Sequence, residues 1–228
     1  MLRMAFDVQQ EAARPGAAET IGALLGADGG KNHPYVACHI FARGREAARD
    51  LADAVHFLAG LHGRHPGLIE FARDKCASEE ARDWLTAAAK GFAAERGYLM
   101  RTVVAAGPLP STPGQAESEA AVAGQRHALE MLARSDRNGC ALGAAIALVL
   151  DWRAARTVID AAAQRFGVAL VPPALPSQRQ TMAVMGKTDS PAIERAMMFG
   201  AQQLLIQHRA LWDLLEARAE ARAANPDQ

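Results

Sequence analysis

Residues 138–166 have the sequence NGCALGAAIALVLDWRAARTVIDAAAQRF, and this stretch decides the fold. Its residues 139–150 carry no charge, and the apolar residues that follow recur at the three- and four-residue spacing of an α-helix. The sequence therefore predicts a long helix over residues 138–166, within an all-α fold.

Asp151 ends the uncharged run and projects onto the apolar face of this helix. Burying an ionised carboxylate is costly unless the group is paired, hydrogen-bonded or bound to a metal. The partners of Asp151 are therefore the first place to look for function. The polar residues projecting onto the opposite face, which we expect to meet solvent, are Arg153, Arg156, Asp160 and Gln164.

The rest of the chain also favours helices, because Ala, Leu, Glu, Arg and Met dominate and no alternating strand pattern persists. We predict one domain, residues 1–228: an all-α antiparallel bundle of about seven helices with short accessory N-terminal helices. Residues 178–187 carry no decisive pattern, and the tail should fray after about residue 222. Helices are expected at about residues 3–13, 17–25, 34–62 with a bend or break at Gly44, 67–76, 78–106, 115–135, 138–166 and 190–222.

In size and helical layout this plan resembles the haem-oxygenase-like and thiaminase-type bundles. The resemblance rests on helix number and chain length rather than on a motif. It implies a layout, and it transfers no residue and no activity to this chain.

Charge and composition exclude several classes of protein. Basic and acidic residues balance at 25 each, so the positive surface of a nucleic-acid-binding protein is missing. The N-terminus carries charge where a signal peptide is apolar, and the longest uncharged apolar run is well below the roughly 18 residues of a membrane span. The three cysteines are widely spaced, which favours reduced thiols, with Cys140 as a small buried apolar residue. We therefore expect a cytoplasmic protein that contacts neither nucleic acid nor a membrane.

Further polar residues project onto the apolar faces of other helices. His208 lies at the centre of the apolar stripe of the last helix, which also contains Trp212. His62 lies on the stripe of the helix that ends near it, and Glu95 lies on the stripe of residues 78–106. These side chains are the candidate partners of Asp151.

The leading hypothesis is an interior pocket that binds a small apolar molecule or a metal, lined by His62, Glu95, Asp151, His208 and Trp212. If the protein is an enzyme, which the sequence leaves open, Asp151 would orient or charge-stabilise His208, and His208 would act as general base or metal ligand. A metal held by Asp151, His208 and His62 would be iron, zinc or manganese.

The alternative hypothesis is a non-enzymatic scaffold or partner-binding protein in which the buried histidines and Asp151 are structural. The last helix favours it, because a second apolar strip suggests a homo-oligomer contact. The strip consists of Phe199, Ile206, Ala210 and Leu214.

Three local patterns are weaker. The pairs Asp53–His56 and His127–Glu130 have the spacing of metal ligands on one helix, but each projects onto a charged face that we expect to be solvated. Residues 26–31, GADGGK, lack the spacing of a P-loop and follow no strand, so a flexible loop is expected there.

Overall fold

The structure is a computed structural model that describes residues 16–38, 46–185 and 190–224. All regular structure within these ranges is helical, as the composition predicts. A 3-10 turn, Gly30–Asn32, follows the first helix. The helices are α1 (Ala17–Asp28), α2 (Pro34–Cys38), α3 (Ala47–His62), α4 (Leu68–Lys75), α5 (Glu79–Ala106), α6 (Gln115–Ala133), α7 (Cys140–Arg165), α8 (Gln178–Met185) and α9 (Pro191–Ala224).

Helix α7, which covers most of the predicted helix 138–166, is the centre of the fold. It packs most extensively on α9 and also contacts α3, α4 and α5. Glycine makes the α7–α9 contact close: a Cβ atom on Gly143 would lie 2.0 Å from the backbone oxygen of Met197, and one on Gly200 would lie 2.0 Å from that of Cys140. The two backbones therefore touch without intervening side chains.

The long helices begin and end close to the predicted residues. Ser78 caps α5 as expected, since its hydroxyl accepts a hydrogen bond from the amide of Ala81 at 3.4 Å. The end of α9 extends slightly beyond the expected point of fraying, to Ala224. The expected helix at residues 3–13 lies outside the described residues, as does Gly44.

Two predictions about solvent-facing residues were wrong. Arg156 and Asp53 are both buried, Asp53 completely. Segments distant in the sequence cover them: residues 166–177 lie over Arg156, and α9 with residues 107–114 closes over Asp53. Helical projection places a side chain relative to its own helix and carries no information about such a cover. His127 is exposed, as predicted.

The apolar side chains of the described helices form one contiguous cluster around α7. Cys140 belongs to it and is fully buried. None of the described helices combines the length and the apolar character needed to cross a bilayer.

Candidate functional site: a buried Asp–His–His chain beside a cavity

Three of the predicted site residues meet in the core. The Nδ1 atom of His208 lies 2.7 Å from Oδ2 of Asp151, and its Nε2 atom lies 2.9 Å from Nε2 of His62. All three side chains are buried, as their helical projections predict. They come from α7, α9 and the last residue of α3, and they form a linear chain in the order Asp151–His208–His62.

The Gly-rich segment after α1 provides a further partner for Asp151. The backbone amide of Gly30 donates a hydrogen bond to Oδ1 of Asp151 at 2.8 Å. A Cβ atom on Gly30 would lie 2.7 Å from Nε1 of Trp212, and one on Gly29 would lie 2.4 Å from the backbone oxygen of Leu25. Only glycine therefore allows this turn to approach the carboxylate so closely, and the segment expected to be a flexible loop includes an ordered turn.

Hydrogen-bonding capacity determines which atoms donate along Asp151–His208–His62. An ionised Asp151 can only accept, so Nδ1 of His208 carries the hydrogen and donates it to the carboxylate. When both imidazoles are neutral, Nε2 of His208 is then an acceptor, and Nε2 of His62 donates to it. Burial, then the proximity of His208 and of Arg96, holds the pKa of His62 well below its usual value of 6.5.

Aromatic rings surround the His62 end of the chain. The Trp152 ring meets the His62 ring edge to face at a centroid distance of 5.5 Å, and the Phe92 ring lies 4.8 Å from that of Trp152. These rings exclude water from His62, which is the physical origin of its lowered pKa.

Glu95, the fourth predicted residue, is buried but belongs to a different cluster. Its carboxylate accepts two hydrogen bonds of 2.9 Å from Nη1 of Arg156, one of 3.1 Å from Nε1 of Trp152 and one of 2.9 Å from the amide of Ala174. Arg156 also donates to the backbone oxygen of Val171. Glu95 and Arg156 thus hold residues 166–177 onto α5 and α7, and the Trp152 side chain lies between this cluster and His62.

Trp212, the fifth predicted residue, packs against the turn that binds Asp151. Its side chain is 1% exposed, and its Nε1 atom has no hydrogen-bond partner among the described residues. The indole therefore contributes apolar surface next to the carboxylate.

Asp151 also lines a cavity of about 460 Å³. The cavity lies between α1, the 3-10 turn, α7 and α8, so it opens on the Asp151 end of the chain. At the opposite end, His62 lines a space of about 40 Å³, enough for little more than a water molecule. The residues lining the 460 Å³ cavity are Gly22, Leu25, Gly26, Lys31, Leu150, Asp151, Arg153, Ala154, Thr157, Gln178 and Met182.

A second, larger cavity of about 870 Å³ lies between the first turns of α5, α7 and α9. None of the five predicted site residues lines it. Its walls include Lys75 and Arg137, but Lys75 is already bonded to Asp136 and to backbone oxygens, and Arg137 stacks on Phe199.

The linear order Asp151–His208–His62 argues against a metal held jointly by these three residues. Asp151 lies on the Nδ1 side of His208, so it orients the imidazole and is not placed to share a metal with Nε2 of the same ring.

A different group of possible metal ligands occurs elsewhere in the described ranges. Ligand atoms of three residues converge there, those of His33, Asp213 and Glu216. There the amide of Tyr35 donates to Nδ1 of His33 at 3.2 Å, so a neutral His33 carries its hydrogen on Nε2 and donates it to Asp213 at 2.8 Å.

Sequence reasoning missed three residues of this site: Gly30, Lys31 and Arg153. The Gly29-Gly30 pair was a signal for close backbone approach, although nothing in the sequence indicated the carboxylate that it approaches. Arg153 was predicted to face solvent. It is exposed, and it also forms part of the cavity wall.

Comparison with curated proteins and with solved structures found no match. Residues 25–223 match the model of a family described as a family of unknown function, DUF6975. The match spans most of the polypeptide and includes Asp151, His208 and His62. The protein therefore belongs to the DUF6975 family.

Proposed function

We propose that this protein binds a small molecule in the 460 Å³ cavity, with Asp151 as its polar anchor. The observation that carries the proposal is that one carboxylate belongs both to the buried Asp–His–His chain and to the cavity wall. The volume lies within the range of about 300–1,000 Å³ typical of ligand pockets. Each oxygen of Asp151 accepts one hydrogen bond inside the protein and keeps capacity for another.

Acid–base chemistry is the catalytic form of this proposal. Both ring nitrogens of His208 are already hydrogen-bonded, so Asp151 is the group that would contact a substrate in the cavity. His208 and His62 would act behind it, by orienting the carboxylate and exchanging a proton along the chain. A substrate would therefore lose or gain its proton at an oxygen of Asp151.

The substitution Asp151→Asn tests the proposal. Asparagine preserves shape but replaces one acceptor oxygen by a donor, so ligands that donate to the carboxylate should bind at least tenfold more weakly. A fluorinated fragment library, screened by ligand-detected NMR, supplies the probes. Asp83→Asn is the matched control, because Asp83 is exposed and forms no ion pair in the described part of the chain. Elemental analysis for iron, zinc and manganese of both variants accompanies the screen.

A second variant keeps the test decisive if Asp151→Asn folds poorly. Thr157 is exposed and lines the cavity without contacting the histidines, so Thr157→Phe fills space while leaving the Asp151–His208–His62 chain intact. Fragments that bind in the cavity should lose affinity in this variant. A screen with no hits, or hits that bind Thr157→Phe and Asp151→Asn as well as the wild type, would disprove the proposal.

One observation favours the alternative, partner-binding function. Phe199 and Ile206 on α9 are 41% and 47% exposed, and Met131 on the neighbouring α6 is 60% exposed. An apolar surface shared by two helices is typical of a contact between protein chains. We expect a homodimer through this surface if the scaffold hypothesis holds, and sedimentation equilibrium checks it: a monomer at all concentrations contradicts it.

A further inference from the structure

We infer that the ligand of the Asp151 cavity carries two polar groups, an anionic group and a separate N–H or O–H donor. The inference rests on the proposed function and narrows it to a ligand class. Amino acids, hydroxy acids and their phosphate counterparts belong to this class. Its support comes from the charges in the cavity wall and from the hydrogen bonds that Asp151 has already made.

Two cations in the wall are available to an anion. Lys31, in the 3-10 turn, and Arg153, on α7, both line the cavity and are exposed. Neither forms an ion pair with any residue that the structure describes. Asp151 is the one acidic residue among the described wall residues, so the cavity carries an excess of positive charge. An arginine guanidinium and a lysine ammonium in the same cavity wall favour a carboxylate or a phosphate.

Asp151 determines what the other end of the ligand must be. Its two oxygens already accept hydrogen bonds from the Gly30 amide and from His208, and a carboxylate has only acceptor capacity left to offer. A ligand anion there would be repelled, and an apolar group would leave the remaining lone pairs unsatisfied. The group that meets Asp151 is therefore an amine or a hydroxyl.

Most of the remaining wall is apolar, apart from Thr157 and Gln178. Leu25, Leu150, Ala154 and Met182 line the same cavity as Lys31, Arg153 and Asp151. A short aliphatic segment between the two polar groups of the ligand would contact these side chains. Two-point recognition of this kind also fixes the direction in which the ligand lies.

Four probes of similar length test the need for an anionic group separately from the need for a hydrogen-bond donor. γ-Aminobutyrate and phosphoethanolamine carry both groups, with a carboxylate and a phosphate respectively, whereas butyrate has only the anion and n-butylamine only the donor. Titration would be followed by isothermal calorimetry at fixed salt and by the Trp212 indole N–H signal, since Trp212 packs on the turn that binds Asp151. We expect at least one bifunctional probe to bind tenfold or more tightly than butyrate and n-butylamine.

Two double variants test whether Lys31 and Arg153 bind the anionic group of the ligand. Lys31→Gln combined with Arg153→Gln should weaken the bifunctional probe at least tenfold. The control is Lys90→Gln combined with Arg165→Gln, which removes the same charge from two exposed residues outside the cavity wall and should leave binding unchanged. Equal losses in both pairs would mean that net charge alone attracts the probe, and would overturn the assignment.

The remaining outcomes separate this inference from the proposed function. Butyrate binding as tightly as γ-aminobutyrate overturns the donor requirement, and n-butylamine binding as tightly overturns the anion requirement. If no bifunctional probe binds but an uncharged fragment does, and Thr157→Phe excludes it, the ligand class is wrong while the cavity remains a binding site. If the fragment screen also gives nothing, both proposals fail.

Discussion

At the scale of single residues, burial decides the charge of His62. The Phe92 and Trp152 rings exclude water, and the neighbouring His208 and Arg96 further disfavour a positive charge, so the pKa of His62 in the folded protein lies well below 6.5. In the unfolded chain the same imidazole has a pKa of about 6.5. Below that pH the unfolded state therefore binds a proton that the folded state does not.

The first prediction concerns this difference. The contribution of His62 to stability is fully present above pH 6.5 and is lost as the pH falls towards the folded-state pKa, by up to about 1.4 kcal/mol per pH unit. The variant His62→Gln should lack this contribution, so its free energy of unfolding should fall less steeply between pH 7 and pH 5. Urea unfolding at a series of pH values measures the two slopes. His127→Gln, at an exposed residue, should keep the wild-type slope.

If the wild type and His62→Gln have parallel pH profiles, His62 is not buried as a neutral imidazole. The comparison cancels the contribution of carboxylates elsewhere, which is the same in both proteins, and reports on His62 together with its hydrogen-bond partner His208.

At the scale of secondary-structure elements, the contact between α7 and α9 positions the site. Asp151 and His208 meet because these helices approach until their backbones touch, at Gly143 on one and Gly200 on the other. In the packed interior there is no free space to accept an added atom at this contact. The distance between the helices is therefore set by two residues that have no side chain.

The second prediction is that Gly143→Ala destabilises the protein by about 3 kcal/mol or more, at the upper end of overpacking costs, because the added Cβ meets backbone rather than a flexible side chain. The matched control is Gly124→Ala on α6, where a Cβ meets nothing within 4 Å. That change should stabilise the protein by about 0.5–1 kcal/mol through helix propensity. Urea unfolding of both variants checks the signs. A neutral Gly143→Ala variant would mean that the helices can separate without cost.

At the scale of the whole molecule, a buried ion-pair cluster connects the N-terminal and C-terminal parts of the described chain. Arg218 donates to both oxygens of Asp53, at 2.9 and 3.1 Å, and Arg222 donates to Asp53 and, at 2.5 Å, to Asp50. Arg222 also reaches the hydroxyl of Thr112 at 2.8 Å. Helix α3, the segment before α6 and the end of α9 are thereby joined by residues that do not line the 460 Å³ cavity.

The third prediction is that Asp53→Asn lowers the free energy of unfolding by about 3 kcal/mol, since it leaves the buried Arg218 without its counter-charge. The loss should stay near the lower end of the range for broken buried pairs, because Asp50 still pairs with Arg222. Glu46→Gln, which breaks a partly exposed pair with Arg49, should change it by less than about 1 kcal/mol. Equal effects of the two substitutions in chemical denaturation would contradict a stabilising role for the cluster.

Much of the fold follows from local sequence. The helical class, the extents of α5 and α7, the Ser78 cap and the burial of Asp151, His208 and His62 all depend on residues within a few turns of one helix. Periodicity and capping act over that distance, so the sequence alone determined them.

Tertiary structure decided what depends on distant segments. Helical projection predicted that both Glu95 and His62 point into the core. Glu95 nevertheless belongs to a different cluster from the histidines, because Arg156 and residues 166–177 lie against it. The same limit led to the wrong predictions for Asp53 and Arg156, whose covers come from elsewhere in the chain. The order Asp151–His208–His62 and the cavity beside it arise where α1, α3, α7, α8 and α9 meet. Such contacts depend on how whole helices pack, and the pattern within any one helix does not contain that information.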